Sequence, residues 1–248
     1  MQTLTKADLN FVLTKCPQDI RRTLKENAGK LFLAGGFIRA TIAGEEVSDI
    51  DLLGTPKEDL VRIGKDLTLS RKGRYFETKN ALTVLSHPRF PVQFVTRWLY
   101  KNPEDVINSF DYTVCQATIW AEDITTDLTQ EEITEGKKIK KEYKFHSLVS
   151  DNFYSDLAAK RLVYCAPKRD EEAGGSLLRT IKFIKKGYNI QPHALAGVIA
   201  RVAMKVDWNK IGYDENRAAQ VITGLLREVD PLTVVDGVDF IDEHQLEE

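Results

Sequence analysis

A short apolar run, Leu31-Phe32-Leu33, stops at the glycine pair Gly35-Gly36; Phe37–Ala43 follows, and then Asp49-Ile50-Asp51-Leu52. An apolar run halted by glycines before a short helix-prone stretch reads as strand, tight turn, helix. Ile50 alternates with two aspartates, so the last segment reads as a second strand with one apolar and one acidic face. Carboxylates two residues apart on a strand project from the same side and repel unless a cation sits beside them. Magnesium suits that place, because it binds one or two carboxylates together with phosphate oxygens. The glycine turn supplies the complement: backbone N–H groups with no Cβ in the way, at a helix N-terminus, attract anions. Each feature alone has a plain reading, a solvated strand face or a tight turn. In this order they form a site for a nucleoside triphosphate with its metal. Gly35 and Gly36 then hold phosphate, and Asp49 and Asp51 hold magnesium.

The flanking sequence supports a mixed fold. Thr5 caps a first helix carrying Leu9, Val12 and Leu13, and Pro17 breaks it before Ile20 and Leu24 continue the stripe. Pro56 sits as the first residue of a helix through about Leu67. Ala81–Leu85 and Val92–Val95 read as strands on either side of His87-Pro88, Pro103 opens a short helix, and Tyr112–Trp120 reads as a strand. After about Ala121 strand signals fade. Asn152–Cys165, Gly175–Lys186, His193–Val206 and Glu215–Val229 carry helical periodicity, and Val235–Glu248 is an acidic end. The expectation is an α+β chain: a mixed sheet with helices over residues 1–145, then an all-helical part over 146–248.

Composition narrows the partners. The 248 residues hold 37 acids and 35 bases, for a net charge of -2, which excludes a globally basic nucleic-acid binder but not a local patch. Lys137, Lys138, Lys140, Lys141 and Lys144, interleaved with Tyr143 and Phe145, form one such strip. It can track a nucleic-acid backbone, or it can be a solvated segment balanced by Glu131, Glu132 and Glu135. Three scattered cysteines, an odd number, point to a reducing compartment, so the expected location is the cytoplasm. No apolar run approaches the roughly 18 residues of a membrane span, and no membrane partner is expected. Walker-type, Rossmann and nucleophile-elbow motifs are missing from the sequence.

The segment Leu33-Ala34-Gly35-Gly36-Phe37-Ile38-Arg39, then Gly44, then Asp49-Ile50-Asp51-Leu52, resembles the head of the polymerase-β superfamily of nucleotidyltransferases. The pattern is that of bacterial CCA-adding enzymes and poly(A) polymerases. Phe110-Asp111-Tyr112-Thr113-Val114 is similar to the family's Arg-Asp-Phe-Thr-Ile segment. Ser176-Leu177-Leu178-Arg179-Thr180-Ile181-Lys182-Phe183, then Gly187-Tyr188, is similar to its neck-helix motif. The resemblance implies transfer of a nucleoside monophosphate from a triphosphate to an acceptor hydroxyl, with two magnesium ions and release of pyrophosphate. The implied acceptor is an RNA 3′ end, tRNA-like. A small molecule or a protein side chain is the second option, and a weakened nucleotide-binding or regulatory module is the third.

Asp49 and Asp51 are then metal ligands. Asp111 is either a third acid or a contact to the nucleotide sugar. Arg39, Arg179 and Lys182 turn toward the nucleotide or its triphosphate; for Arg39 and Lys182 a solvated helix face is the alternative. The chain departs from the family pattern at Ala40, where an aspartate is common, and at Phe110, where an arginine is common. It departs again at Gln93, where many relatives carry a third carboxylate.

Overall fold

A computed structural model of the protein describes residues 1–126, 139, 141–167 and 173–227. The chain folds as two compact units, Met1–Ile107 with Gln116–Asp151, and Asn108–Cys115 with Asn152–Glu248. The fold is α+β.

The first unit is built on a seven-stranded sheet in the order β3-β4-β5-β2-β1-β6-β7. Its strands are β1 (Leu31–Ala34), β2 (Ile50–Gly54), β3 (Arg74–Glu77), β4 (Ala81–Leu85), β5 (Val92–Val95), β6 (Ala117–Asp123) and β7 (Tyr143–Val149). All neighbours are antiparallel except β2 and β5, which run parallel. One face buries Leu33, Ile50, Leu52, Leu82, Val84, Val92, Phe94 and Ile119. The opposite face carries a row in register: Thr83 beside Gln93, Gln93 beside Asp51, Asp51 beside Ala34, and Ala34 beside Thr118. A central polar row between apolar strands is what the Asp-Ile-Asp alternation requires.

Helices α1 (Lys6–Lys15), α2 (Gln18–Glu26), α3 (Gly36–Ala43) and α4 (Lys57–Arg71) belong to this unit. Thr5 caps α1 by accepting the Asp8 N–H. Pro56 stands just ahead of α4, whose first turn holds Glu58 and Asp59, the charge sign that the N-terminal dipole favours. Gly64 sets how closely α4 lies on the sheet, since a Cβ there would sit 2.6 Å from Leu82 Cδ2 and 3.0 Å from Phe94 Cδ2.

An ion pair centred on a buried arginine ties the ends of these elements together. The Arg71 side chain is 0% exposed; its Nε donates to Asp19 Oδ2 at 2.8 Å, its Nη2 to Asp19 Oδ1 at 3.1 Å, and its Nη1 to the Phe90 carbonyl at 3.1 Å. Two parallel bonds to one carboxylate fix both partners. The clamp joins α2, the end of α4 and the β4–β5 loop, and that loop's Pro91 carbonyl accepts the Ile50 N–H at 2.9 Å. Phe90 meets the Phe37 ring of α3 edge to face.

The second unit contains helices over Phe153–Ala158, Ala173–Lys185, Pro192–Ala203, Trp208–Ile211 and Glu215–Arg227. It also contains a parallel ribbon of β8 (Arg161–Leu162) and β9 (Asn189–Ile190), which periodicity alone passes over. Val206, Ile211 and Ala218 form a small core with Trp208 and Ile222 packed on it. None of the described helices is long and apolar enough to cross a membrane.

Three expectations are corrected. Tyr112–Trp120 is not one strand: a 3-10 turn, Thr113–Cys115, precedes β6. Every residue from Asp111 to Ile119 is buried, so alternation could not show where the strand begins. The helix expected over Asn152–Cys165 stops at Ala158, and Lys160 takes φ 46° before β8. Strand β7 extends the sheet beyond the point where strand signals fade. Lys137, Lys138 and Lys140 of the basic strip lie outside the described residues, as does the acidic end; Lys141 and Lys144 are exposed.

Burial alone would raise the Asp19 carboxyl, but the hydrogen bonds and charge of Arg71, the Ile20 N–H and the charge of Arg89 outweigh it and hold it below the ordinary carboxylate value. A depressed folded-state pKa contributes stability above the unfolded value, about 3.9, and loses it as the pH falls through the lower folded value. Asp19→Asn therefore lowers stability at pH 7 by about 3 kcal/mol, because Arg71 is left buried without its counter-charge. It also flattens the acid limb of a melting-temperature profile below about pH 5.

Candidate active site

The turn from β1 into α3 has a conformation that only glycine adopts readily. Gly35 has φ 70° and ψ -123°. Its N–H donates to the Ala117 carbonyl at 2.9 Å, which fixes the turn against β6, and its carbonyl accepts the Arg39 N–H at 3.3 Å. Gly36 begins the helix, and a Cβ built on it meets nothing within 4 Å. The first N–H groups of a helix have no partner inside it, so this end offers main-chain donors beside open space.

The aspartates reach the same end of β1. Asp51 is the register partner of Ala34, one residue before Gly35. Ile50, fully buried on the core face, separates it from Asp49. Asp49 stands one residue ahead of β2, where the Ile50–Pro91 hydrogen bond continues the ladder. Both aspartates are half-buried, and Asp51 Oδ1 lies out of reach of solvent. The Ser48 hydroxyl donates to Asp49 Oδ1 at 2.5 Å. Gln93 and Thr83, in register beyond Asp51, are buried.

Arg39 is not a solvated helix arginine. It is 7% exposed, and its Nε lies 3.5 Å from the carboxylate of Glu45, just past the end of α3. Arg39 thus anchors the exit of α3 within the sheet unit.

The remaining sequence-derived residues lie in the second unit. Asp111 is 2% exposed and accepts from Arg179 Nε at 2.7 Å. The next residue, Tyr112, donates its hydroxyl to the Ser176 carbonyl at 2.9 Å and lies 2.5 Å from Thr180 Oγ1. Burial pushes the Tyr112 phenol far above its ordinary value, so it stays a neutral donor. Ser176, Arg179 and Thr180 are three and four apart, so this pair of residues grips one face of the helix Ala173–Lys185. The gripping segment is itself held: Thr113 Oγ1 donates to the fully buried Asp156 at 2.6 Å, and Arg161 Nε donates to Asp156 at 2.9 Å. Lys182 is half-exposed one turn beyond Arg179. Gly35, Gly36, Arg39, Asp49 and Asp51 thus share one unit, and Asp111, Arg179 and Lys182 share the other. Ser48, Glu45 and Asp156 were not picked out from the sequence, since nothing in their spacing announces their partners.

The donor set at β2 fits a divalent cation that brings phosphate oxygens with it. Two carboxylates stand beside a neutral amide and a hydroxyl, and among the described residues no group of three or more histidine, cysteine, aspartate or glutamate side chains is assembled for a metal. Magnesium is usually held by one or two carboxylates plus substrate phosphates.

The fold is similar to that of solved nucleotidyltransferases. The Thermotoga maritima CCA-adding enzyme complexed with tRNA superposes with a TM-score of 0.55 at 13% identity, covering 96% of this chain and 54% of that one. A CCA-adding enzyme in complex with ATP gives 0.56 at 14% identity, covering 98% and 55%. Another complex, with CTP, gives 0.52 at 12% identity, covering 96% and 54%. The chain spans about half the length of these structures. The resemblance to the polymerase-β superfamily holds at the level of fold. A comparison with curated proteins finds no match. A family model described as Gad2, Gabija anti-defense 2 family protein, matches residues 3–160.

The two glycines are expected to separate on substitution. Gly35→Ala strains the turn and lowers stability by about 1–3 kcal/mol. Gly36→Ala leaves the melting temperature within a degree or so of wild type, because its methyl meets no protein atom, yet weakens triphosphate binding by about tenfold. Thermal melts and equilibrium binding of labelled triphosphates read the two effects independently.

Proposed function

The chain belongs to the Gabija anti-defense 2 family, and we propose that it is a magnesium-dependent nucleotidyltransferase. The observation that carries this reading is the pairing of Asp51 with Ala34, which puts an acidic strand beside a glycine turn and a helix N-terminus. An acceptor oxygen attacks the α-phosphorus of a nucleoside triphosphate. The new O–P bond forms as the bond to pyrophosphate breaks, and the acceptor's proton passes to water. Magnesium, held by Asp49 and Asp51 when bound, offsets the charge of the triphosphate and of the departing pyrophosphate. Main-chain donors at Gly35, Gly36 and the start of α3 orient the phosphates. The buried Arg39–Glu45 pair keeps α3 in place, so Arg39 acts by positioning.

In the second unit the family resemblance assigns nucleotide contacts to Asp111, Arg179 and Lys182; the buried Asp111 carboxylate, which accepts from Arg179, positions that arginine. The unit Met1–Ile107 with Gln116–Asp151 then serves as the catalytic head, and the unit Asn108–Cys115 with Asn152–Glu248 as a neck-like part. Cys16, Cys115 and Cys165 stand as thiols rather than disulfides, which suits work in the cytoplasm.

The acceptor we favour is an RNA 3′ end, supported by the likeness in fold to CCA-adding enzymes, one of them complexed with tRNA. The family description favours a second acceptor class, a component of the Gabija defence itself. The test supplies each α-labelled triphosphate with magnesium to total RNA, and separately to lysate from cells expressing Gabija. Label is expected to move to one of these pools with release of pyrophosphate, and Asp49→Asn with Asp51→Asn to abolish the transfer. Label that persists in the double variant overturns the assignment. Tight triphosphate binding without pyrophosphate release replaces it with a nucleotide-binding regulatory module.

A further inference from the structure

Gln93 lies beside Asp51 in the parallel β2–β5 ladder, and Thr83 lies beside Gln93 on β4. Adjacent strands are about 4.8 Å apart, so the side chain at position 93 stands next to whatever Asp51 holds. Gln93 is 5% exposed and Thr83 6%, which makes this amide a fixed neighbour rather than a surface group. A carboxylate at that register position would give the head three acids. The amide leaves it with Asp49 and Asp51.

That difference governs when a cation can stay. Affinity for hard cations is tuned by the number of charged ligands, and magnesium gives up its water reluctantly. Two carboxylates do little to replace a hydration shell, whereas a triphosphate adds several anionic oxygens. Resting on the nucleotidyltransferase reading, we propose that Gln93 makes this head take up its divalent cation only together with the triphosphate. The nucleotide-free protein then holds no tightly bound metal. Gln93 is a positioning residue in this scheme: it sets the charge around Asp51 and thereby the order of loading.

Manganese, counted by its free-ion electron paramagnetic resonance signal, tests this on the full chain. Manganese is titrated alone and with each of the four α,β-methylene nucleoside triphosphates in turn. In the wild-type protein at least one analogue is expected to strengthen manganese binding well beyond its own affinity for the ion. Gln93→Glu is expected to bind manganese without nucleotide about tenfold more tightly than wild type. Gln93→Asn keeps an amide and is expected to match wild type, and melting curves report which variants are folded. If Gln93→Glu does not fold, the wild-type titrations decide alone.

Wild-type manganese affinity that is the same with and without every analogue overturns the proposal, as does a folded Gln93→Glu with unchanged affinity. If wild type holds manganese tightly without nucleotide and still transfers label, only the loading order falls. If no analogue binds under any condition, the nucleotidyltransferase reading falls with it.

Discussion

The pairing of β1 with β2 decides where negative side chains and main-chain donors meet. Ala34 faces Asp51 across one antiparallel ladder, so the acidic face of β2 ends beside the glycine turn that follows β1. A shift of one residue would turn Asp51 into the core and Leu52 toward the polar row, at the cost of a buried charge. The apolar set Ile50, Leu52, Leu33 and Phe94 therefore fixes the chemistry as well as the core. Gly35 completes the arrangement, because its backbone is the one that lets the chain reverse into α3 with the helix end at the polar row.

Arginine–carboxylate pairs, each with one buried partner, hold segments together within each unit. Arg71 with Asp19 secures the loop whose Pro91 carbonyl receives the Ile50 N–H. Arg39 with Glu45 secures the exit of α3, and Arg179 with Asp111 joins a helix to the segment before the 3-10 turn in the second unit. A buried ion pair is weak evidence for net stability, since desolvation offsets much of the attraction. What these pairs supply is geometry: each ties segments that the sequence places far apart or at the end of a helix.

Much of the head was legible from residue order. The glycine turn, α3, β2, β4, β5 and the helix after Pro56 follow from periodicity and from glycine and proline placement, which are local signals. The pairing of Asp111 with Arg179, and of Asp51 with Gln93, was not legible, because register between strands and contacts between distant segments leave no local mark. Strand β3 escaped notice for a different reason. All four of its residues are exposed, so no alternation distinguishes it from a loop. The 3-10 turn at Thr113–Cys115 was hidden by the opposite condition, continuous burial.

Strand β3 ends the sheet, and it shows Tyr75 and Phe76 to solvent at 44% and 57% exposure. A terminal strand with aromatic side chains is a template on which another chain can lay its own backbone. Here it is four residues long, it begins with Arg74 and ends with Glu77, and a tight reversal through Lys79-Asn80 follows. Brevity and flanking charge are the features by which such a rim opposes pairing with a second backbone, even where its side chains are rings.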